Sequence, residues 1–267
     1  MTVATHTPWA LRDGLLRSPT LDALGLVAGF TTRQQGSMAG SHHPLDEQAR
    51  NRAALARSLG FDGVRRTKQV HGRQIVRVDG QIEPWPIADG QWTKTSGVLL
   101  GVAAADCVPI LIADPSGAIG AAHAGWQGTT LRVAEALVAA MVAGGAARGR
   151  LVAALGPSIG PCCYTIDEER AEIVRQRIGE ENIHPVSART VSRAGDAERR
   201  AARGGIPGAF VLDLWSANAK QLADAGVAMI ETCGLCTRSG GADLWSHRGR
   251  GADGVYGTQL GFIGRRP

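Results

Sequence analysis

Val98-Leu99-Leu100-Gly101-Val102-Ala103-Ala104-Ala105-Asp106-Cys107 opens the stretch that decides the fold. An apolar run leads from it to Asp114-Pro115-Ser116-Gly117, and the chain resumes through Ala121-Ala122-His123-Ala124-Gly125-Trp126-Gln127-Gly128-Thr129. The Asp-Pro-Ser-Gly segment is a strong turn signal between two apolar runs of strand length, which predicts a β-hairpin. Cys107 interrupts the first run beside a carboxylate, and His123 closes the second where Gly and Trp take over. A thiol and an imidazole at strand ends, next to backbone that turns on glycine, mark this stretch as a candidate site as well as a core.

Outward from the hairpin, the pattern is mixed. Residues 1–25 read as an entry strand and a short helix, and Gly29 to Arg33 as a short extended piece. Leu45 to Leu59 has helical spacing and ends at Gly60, a fitting C-cap. Thr67-Lys68-Gln69-Val70-His71-Gly72, with Ile75, Val76 and Val78, reads as a strand bent at Gly72. Thr129 to Val142 is helical up to Gly144-Gly145, and Leu151 to Leu155 is a strand entering a turn with two Gly-Pro pairs. Asp167 and Asp213 are placed to N-cap helices reaching about Ile178 and Ala225. Residues 185–208 read as a mobile, Arg-rich insertion. Val227 to Ile230 and the end of the chain at Gln259 to Ile263 are strands. Strands outnumber helices and no βα repeat recurs, so the expected class is α+β rather than a regular parallel α/β wind.

Composition narrows the function. With 267 residues the chain is long enough for a sizeable core, and neither an internal repeat nor a clean linker divides it. Lys+Arg outnumber Asp+Glu by 29 to 24, and much of the excess sits in Arg189 to Arg203 and in Arg265-Arg266. That surface favours an anionic small substrate. Nucleic acid is not expected, because aromatics are only 4% and leave few stacking platforms. No run approaches the roughly 18 apolar residues of a membrane helix, and Trp9-Ala10-Leu11-Arg12-Asp13 breaks any signal-peptide core. Five cysteines without a secretory signal read as reduced thiols in the cytoplasm.

His71, Cys107 and His123 each lie at a strand end beside Gly or a turn. Thiolate sulfur and imidazole nitrogen are zinc ligands, and three protein ligands leave one position open for water, the catalytic arrangement. Water there becomes a usable nucleophile near neutral pH. The same Cys107 and His123 could instead form a thiolate–imidazolium pair for covalent hydrolysis, or be a buried structural thiol and hydrogen-bonded core histidines. Asp106 is a neighbouring support, a proton acceptor or a turn-capping carboxylate. Cys233 and Cys236 form a C-x-x-C with no second pair, so they and Cys162-Cys163 read as structural. A multicopper oxidase centre needs on the order of ten His, and this chain has 7 with no His-x-His pair, which argues against a true laccase. No Gly-rich phosphate loop is present. Arg33, Arg248 and the amides opening the helix near Thr129 are the candidate anion contacts.

With these residues in view the chain resembles the YfiH-type laccase-domain family, long labelled polyphenol oxidase and now described as purine nucleoside phosphorylase. The resemblance rests on Lys68-Gln69-Val70-His71-Gly72, Ala105-Asp106-Cys107, His123-Ala124-Gly125-Trp126 and Gly156-Pro157-Ser158-Ile159-Gly160-Pro161-Cys162-Cys163-Tyr164. Asn51-Arg52, Asp213-Leu214, Asn218, Gln221-Leu222, Cys236-Thr237 and Ser246-His247-Arg248 match as well, so it spans roughly residues 20–263. It implies a single domain over 1–267, an α+β layered sandwich whose mixed sheets are flanked by helices. It implies zinc on His71, Cys107 and His123, with copper as an alternative metal. The implied catalytic residues are Cys107, His123 and Asp106; Gln69 joins Arg33 and Arg248 as a substrate contact. The implied activity is phosphorolysis of adenosine, inosine and methylthioadenosine, with adenosine deamination as a side activity, on a free nucleoside and phosphate and in an oligomeric state left open. The rival readings are a cysteine hydrolase acting on an amide or cell-wall precursor, a copper-loaded polyphenol oxidase, and a non-catalytic binding protein. Three departures stand out: the shortened loop Gln34 to Pro44, the C-terminal His247-Arg248-Gly249 and Gly257-Thr258 where the family carries further arginines, and the Arg-rich insertion.

Overall fold

A computed structural model describes residues 9–80, 84–186, 210–240 and 243–267. Most of the expected insertion at 185–208 lies outside these residues. The Asp114-Pro115-Ser116-Gly117 turn closes as expected: the Gly117 amide donates to the Asp114 carbonyl at 2.8 Å, and the Asp114 side chain takes the Ser116 amide. Gly117 has φ +121, which an L side chain adopts only with strain. The turn sets the antiparallel pairing of β8 (Val108–Ala113) with β9 (Ile119–Ala124), with Pro109 opposite His123. Every residue of both strands is buried, the signature of a strand covered on both faces.

The apolar run before the turn is not one strand. It divides into β7 (Leu99–Ala104) and β8, which lie in different sheets. The switch falls at Asp106, whose φ of +87 turns the backbone from one sheet to the other. One six-stranded sheet comprises β1 (Ala10–Arg12), β2 (Leu15–Arg17), β3 (Val27–Phe30), β15 (Gln259–Gly264), β7 and β4 (Val64–Arg65), in that order. The other runs β14 (Met229–Thr232), β10 (Val152–Leu155), β8, β9, β6 (Gly90–Thr93) and β5 (Ile75–Arg77). Both are mixed: β4–β7, β10–β14 and β5–β6 are parallel and the other pairs antiparallel. A small antiparallel sheet joins β11 (Thr165–Ile166), β13 (Phe210–Leu212) and β12 (Ile183–Pro185).

The period of two along each strand sorts the core into layers. Leu100 and Val102 of β7 meet Leu111 and Ala113 of β8 and Ala121 of β9 between the two large sheets. Leu99 and Ala103 face outward, against Leu55, Ala56 and Leu59 of α2 (Leu45–Leu59). Val108, Ile110 and Ile112 face the opposite side, against Leu137, Val138 and Met141 of α4 (Val133–Ala143) and Leu222 of α6 (Leu214–Asp224). The result is the expected α+β sandwich, with helices outside two β layers. Truncating a fully buried residue such as Leu111 costs about 2–5 kcal/mol in such a core.

The predicted helix ends hold at Gly60, the left-handed C-cap of α2, and at Asp167 and Asp213, whose carboxylates cap α5 (Glu168–Ile178) and α6. Two local expectations change. The helix expected from Thr129 is two: α3 (Trp126–Thr130) stops and α4 starts after Arg132, which has φ +61. The strand expected around Thr67 to Val78 is confined to β5, and the bend expected at Gly72 spans His71, at φ +60, and Gly72. The short α1 (Pro19–Ala23) follows β2. Among the described residues, no helix is long and apolar enough to cross a membrane.

Candidate metal centre and cavity

Three chain segments meet beyond the open end of the β8–β9 hairpin. Cys107 directly precedes β8, His123 lies next to last in β9, and His71 sits in the loop before β5. The hairpin register sets Pro109 opposite His123 and Val108 opposite Ala124, so Cys107 lies diagonally from His123 on the same face. The third group is brought in by Asp89, which directly precedes β6. Its carboxylate accepts the amide hydrogens of Val70 (3.1 Å), His71 (2.9 Å) and Gly72 (2.7 Å), folding that loop onto the hairpin. One ligating atom from each of His71, Cys107 and His123 lies within 4.8 Å of the others. The two imidazole rings stand edge to face with centroids 4.8 Å apart.

Asp89 also fixes the chemistry of His123. His123 Nδ1 donates to Asp89 Oδ1 at 3.0 Å, which leaves Nε2 for the Cys107 side. Both partners are buried. Burial works against a charged His123, but the Cys107 thiolate and the Asp89 carboxylate outweigh it and raise the imidazole to about 9. Burial likewise works against a thiolate at Cys107, yet the charge and hydrogen bonds of His123 and His71 hold it down to about 6. Asp89 stays low against its own burial through the His123 bond and the loop amides. The pair is thus biased toward thiolate and imidazolium at neutral pH, and once His123 gives up its Nε2 proton the pair makes, with His71, a donor set of two nitrogens and one sulfur. Gly125 borders both ligands closely: a Cβ there would lie 2.8 Å from Cys107 Sγ and 3.0 Å from His71 Cδ2.

These groups open into a cavity of about 640 Å³, the size of a small-molecule site. Its walls carry Trp126, Tyr164 and Tyr256 as aromatic surfaces and Arg66, Lys68, Arg170 and Arg248 as cations. Arg248 Nη1 bonds the Thr165 carbonyl at 3.3 Å, and its guanidinium lies over the Tyr164 ring. Arg66 is buried over Trp85, and its Nε has no hydrogen-bond partner among the described residues. Burial and the charge of Arg52 bring Arg66 down to about 10, so it remains cationic at neutral pH.

The other residues singled out from sequence fall in different places. Asp106 lines the cavity, but its oxygens are already engaged: Oδ1 accepts Thr237 Oγ1 (2.6 Å) and Ser246 Oγ (2.7 Å), and Oδ2 accepts the Arg248 amide (2.6 Å). Gln69 lines it too, with its side-chain amide paired to the backbone of Ala103 in both directions at 2.8 and 2.9 Å. Arg33 lies outside the cavity lining; it bonds the Leu244 carbonyl and stacks over Trp245. The amides near Thr129 belong to the one-turn helix α3, which begins at Trp126. Sequence reasoning missed Asp89, Arg66 and Arg170. Asp89 stands alone between Ala88 and Gly90, with no chemistry-bearing neighbour in the sequence to single it out.

Fold and site together define an α+β sandwich protein with a donor set of two histidines and one cysteine in the lining of this cavity. Residues 27–266 match the family described as multi-copper polyphenol oxidoreductase laccase, and the chain belongs to that family. A relative named purine nucleoside phosphorylase YlmD, from Geobacillus stearothermophilus, is 34% identical over 278 residues, covering 95% of each chain. A Deinococcus radiodurans protein named purine nucleoside phosphorylase is 38% identical over 246 residues, covering 88% of this chain and 87% of its own. The crystal structure of the Geobacillus YlmD superposes with a TM-score of 0.79 at 32% identity, over 97% of this chain and 99% of that one. Bacillus licheniformis YfiH gives 0.81 at 25% identity, over 98% and 100%.

The donor atoms suit one ion of the zinc or copper type: two imidazoles and a thiol already biased toward thiolate. Among the described residues no His-rich constellation of the kind several coppers require accompanies it.

Proposed function

We propose that this chain is a purine nucleoside phosphorylase that cleaves adenosine, inosine and methylthioadenosine with phosphate, and deaminates adenosine as a side activity. One observation carries the reading: the His71/Cys107/His123 donor set, the aromatic walls and the cationic groups all face a single cavity. The relatives named purine nucleoside phosphorylase support it.

His71, Cys107 and His123 would hold zinc, with copper as the alternative. When bound, the ion supplies Lewis acidity and lowers the pKa of water, which is what deamination at C6 of the purine requires. Phosphorolysis forms a bond from a phosphate oxygen to C1′ and breaks the bond from C1′ to the base, with positive charge developing on the ribose. Arg66, Lys68, Arg170 and Arg248 provide the positive wall that holds phosphate against C1′. Trp126, Tyr164 and Tyr256 provide flat apolar surface for the purine. Gln69 and Asp106 hold the wall itself, through Ala103 and through Thr237, Ser246 and Arg248. Arg33 acts one layer behind, supporting the Leu244–Trp245 segment.

The experiment is a product analysis by mass spectrometry on purified protein with adenosine, with and without phosphate. Adenine and ribose 1-phosphate formed only with phosphate, together with inosine, support the reading. No product under either condition defeats it. Cys107→Ala should abolish both metal binding and turnover; full activity in that variant would also defeat it.

A second reading rests on the low Cys107 thiol beside His123: a cysteine hydrolase acting on an amide. It requires turnover that survives chelator and is lost to a thiol reagent. Activity lost on chelation and restored by zinc decides for the phosphorylase.

A further inference from the structure

Three of the remaining four cysteines converge at a second place. Cys162 and Cys163 follow the Gly160-Pro161 turn, and Cys236 follows β14. Their sulfurs all lie within 4.8 Å of one another. Cys163 and Cys236 are buried and Cys162 half-buried. Ser239 Oγ sits 3.4 Å from the sulfurs of both Cys162 and Cys163. The C-x-x-C read from sequence as one structural pair is therefore split, with Cys236 joining the Cys162-Cys163 dipeptide.

The backbone around the cluster is preorganised. The amides of Cys163 and Tyr164 both donate to the Gly160 carbonyl, at 2.9 and 3.0 Å, which closes the turn presenting the two adjacent thiols. The Gly240 amide donates to the Cys236 carbonyl at 2.7 Å, which curls Ser239 back toward the sulfurs. The two segments are held in register by the Ser158–Cys236 bridge and by the Thr237 amide on the Ser158 carbonyl at 3.0 Å. The Gly160 amide points at Cys236 Sγ from 3.3 Å, a donor that favours a thiolate.

We infer that Cys162, Cys163 and Cys236, with the Ser239 hydroxyl beside them, bind a thiophilic d10 cation, Zn2+ or Cu+, at a site made of residues distinct from His71, Cys107 and His123. Metal–sulfur bonds of about 2.3 Å place tetrahedral thiolates roughly 3.8 Å apart, so the sulfurs need only small shifts to close on an ion. Three thiolates with an adjacent hydroxyl select a soft cation over Mg2+ or Ca2+. The ion staples the 158–164 segment to the 233–240 segment. Each of these also reaches the cavity, through Tyr164 in its lining and through Thr237 on Asp106. The site is structural in kind and does not depend on which reaction the cavity performs.

The test is anaerobic titration of the chelator-stripped, reduced full-length protein with Co2+ as a spectroscopic stand-in for Zn2+, followed by native mass spectrometry with Zn2+ and with Cu+. The wild type should take up two equivalents. The His71→Ala/Cys107→Ala protein should retain one, with the strong thiolate-to-cobalt charge-transfer absorption of a multi-thiolate site and a higher thermal midpoint on loading. Cys163→Ser/Cys236→Ser should lose that absorption and keep the other equivalent. If this last protein fails to fold, the comparison of wild type with His71→Ala/Cys107→Ala still decides. A folded His71→Ala/Cys107→Ala protein that binds no ion would overturn the inference. So would recovery of two of the three cysteines as a disulfide from protein kept anaerobic with Zn2+ present. The mass spectra distinguish Zn2+ from Cu+ as the preferred occupant.

Discussion

Asp89 and His123 are joined by a 3.0 Å hydrogen bond from Nδ1 to Oδ1, and the same carboxylate gathers the amides of Val70, His71 and Gly72. One side chain thus orients one candidate ligand and places another. Asp89→Asn can accept some of these amides but leaves the Cys107 thiolate as the one negative charge raising His123. We expect metal affinity to fall about 10- to 100-fold, the usual cost of losing the carboxylate behind a ligating histidine. In stripped protein, the His123 titration should move below about 9. Calorimetry with Zn2+ and imidazole resonances followed against pH measure both. Unchanged affinity would show that the loop and imidazole hold their places without this carboxylate.

Gly125 tests how tightly the centre is built. A Cβ there meets Cys107 Sγ at 2.8 Å and His71 Cδ2 at 3.0 Å, closer than such atoms pack. The backbone itself is ordinary, with φ −72, so alanine brings no conformational strain. Gly125→Ala should therefore leave the thermal midpoint of stripped protein within a few degrees of wild type while cutting metal uptake and turnover at least tenfold. A large loss of stability instead would mean that the methyl displaces the hairpin and not only the two ligands.

The core hairpin was legible because its signals are local. Asp114-Pro115-Ser116-Gly117 specifies a turn by itself, and the apolar runs on either side of it have strand length. The caps at Gly60, Asp167 and Asp213 were legible for the same reason. What escaped was set by tertiary contacts. Nothing within Val98–Ala113 says that the run divides between two sheets; that depends on β7 pairing with β15 from the far end of the chain. Asp89 escaped because its partners are 17 to 34 residues away in sequence. His71, Cys107 and His123 could be picked out as a chemical set, but their convergence required the loop that Asp89 gathers. Arg33 reads as an anion contact from its residue type; its Nε bonds the Leu244 carbonyl and its guanidinium lies over Trp245, outside the cavity lining.

The protonation of Cys107 gives a pH prediction with a definite sign. Its folded value is lowered from an ordinary 9.0 to about 6, so the thiolate fraction rises as pH climbs through about 6. In stripped protein, alkylation by iodoacetamide should accelerate over that range, about three units below an ordinary thiol. His123→Ala removes the main opposing charge and leaves burial to act, so the midpoint should move upward, toward or beyond 9. Mass-spectrometric mapping of labelled Cys107 against pH reads this out. A wild-type midpoint near 9 would mean that the His123 charge does not reach the sulfur.

Asp106 separates a positioning role from a chemical one. At φ +87 it occupies backbone space that Asn and Asp tolerate better than alanine. Its carboxylate takes Thr237 Oγ1, Ser246 Oγ and the Arg248 amide, tying two segments of the C-terminal region to the strand switch before Cys107. Hydrogen bonds to a charged group contribute about 1.5–3 kcal/mol each, and they are not additive in one network. Asp106→Asn keeps the backbone geometry and one acceptor oxygen for the Arg248 amide, while its NH2 faces the Thr237 and Ser246 hydroxyls, and it should lose on the order of 1–3 kcal/mol. Asp106→Ala also leaves the Arg248 amide unpaired and adds about 1–2 kcal/mol of left-handed strain, so its loss should be distinctly larger. Urea unfolding ranks the two, and amide exchange at Arg248 should quicken in both. For a positioning residue, the phosphate KM should rise with the loosening of Arg248, and Asn should recover most of the kcat lost with Ala. If Asn instead keeps wild-type stability and phosphate KM while kcat collapses, Asp106 handles a proton in the reaction, and its three donors serve to orient it for that task.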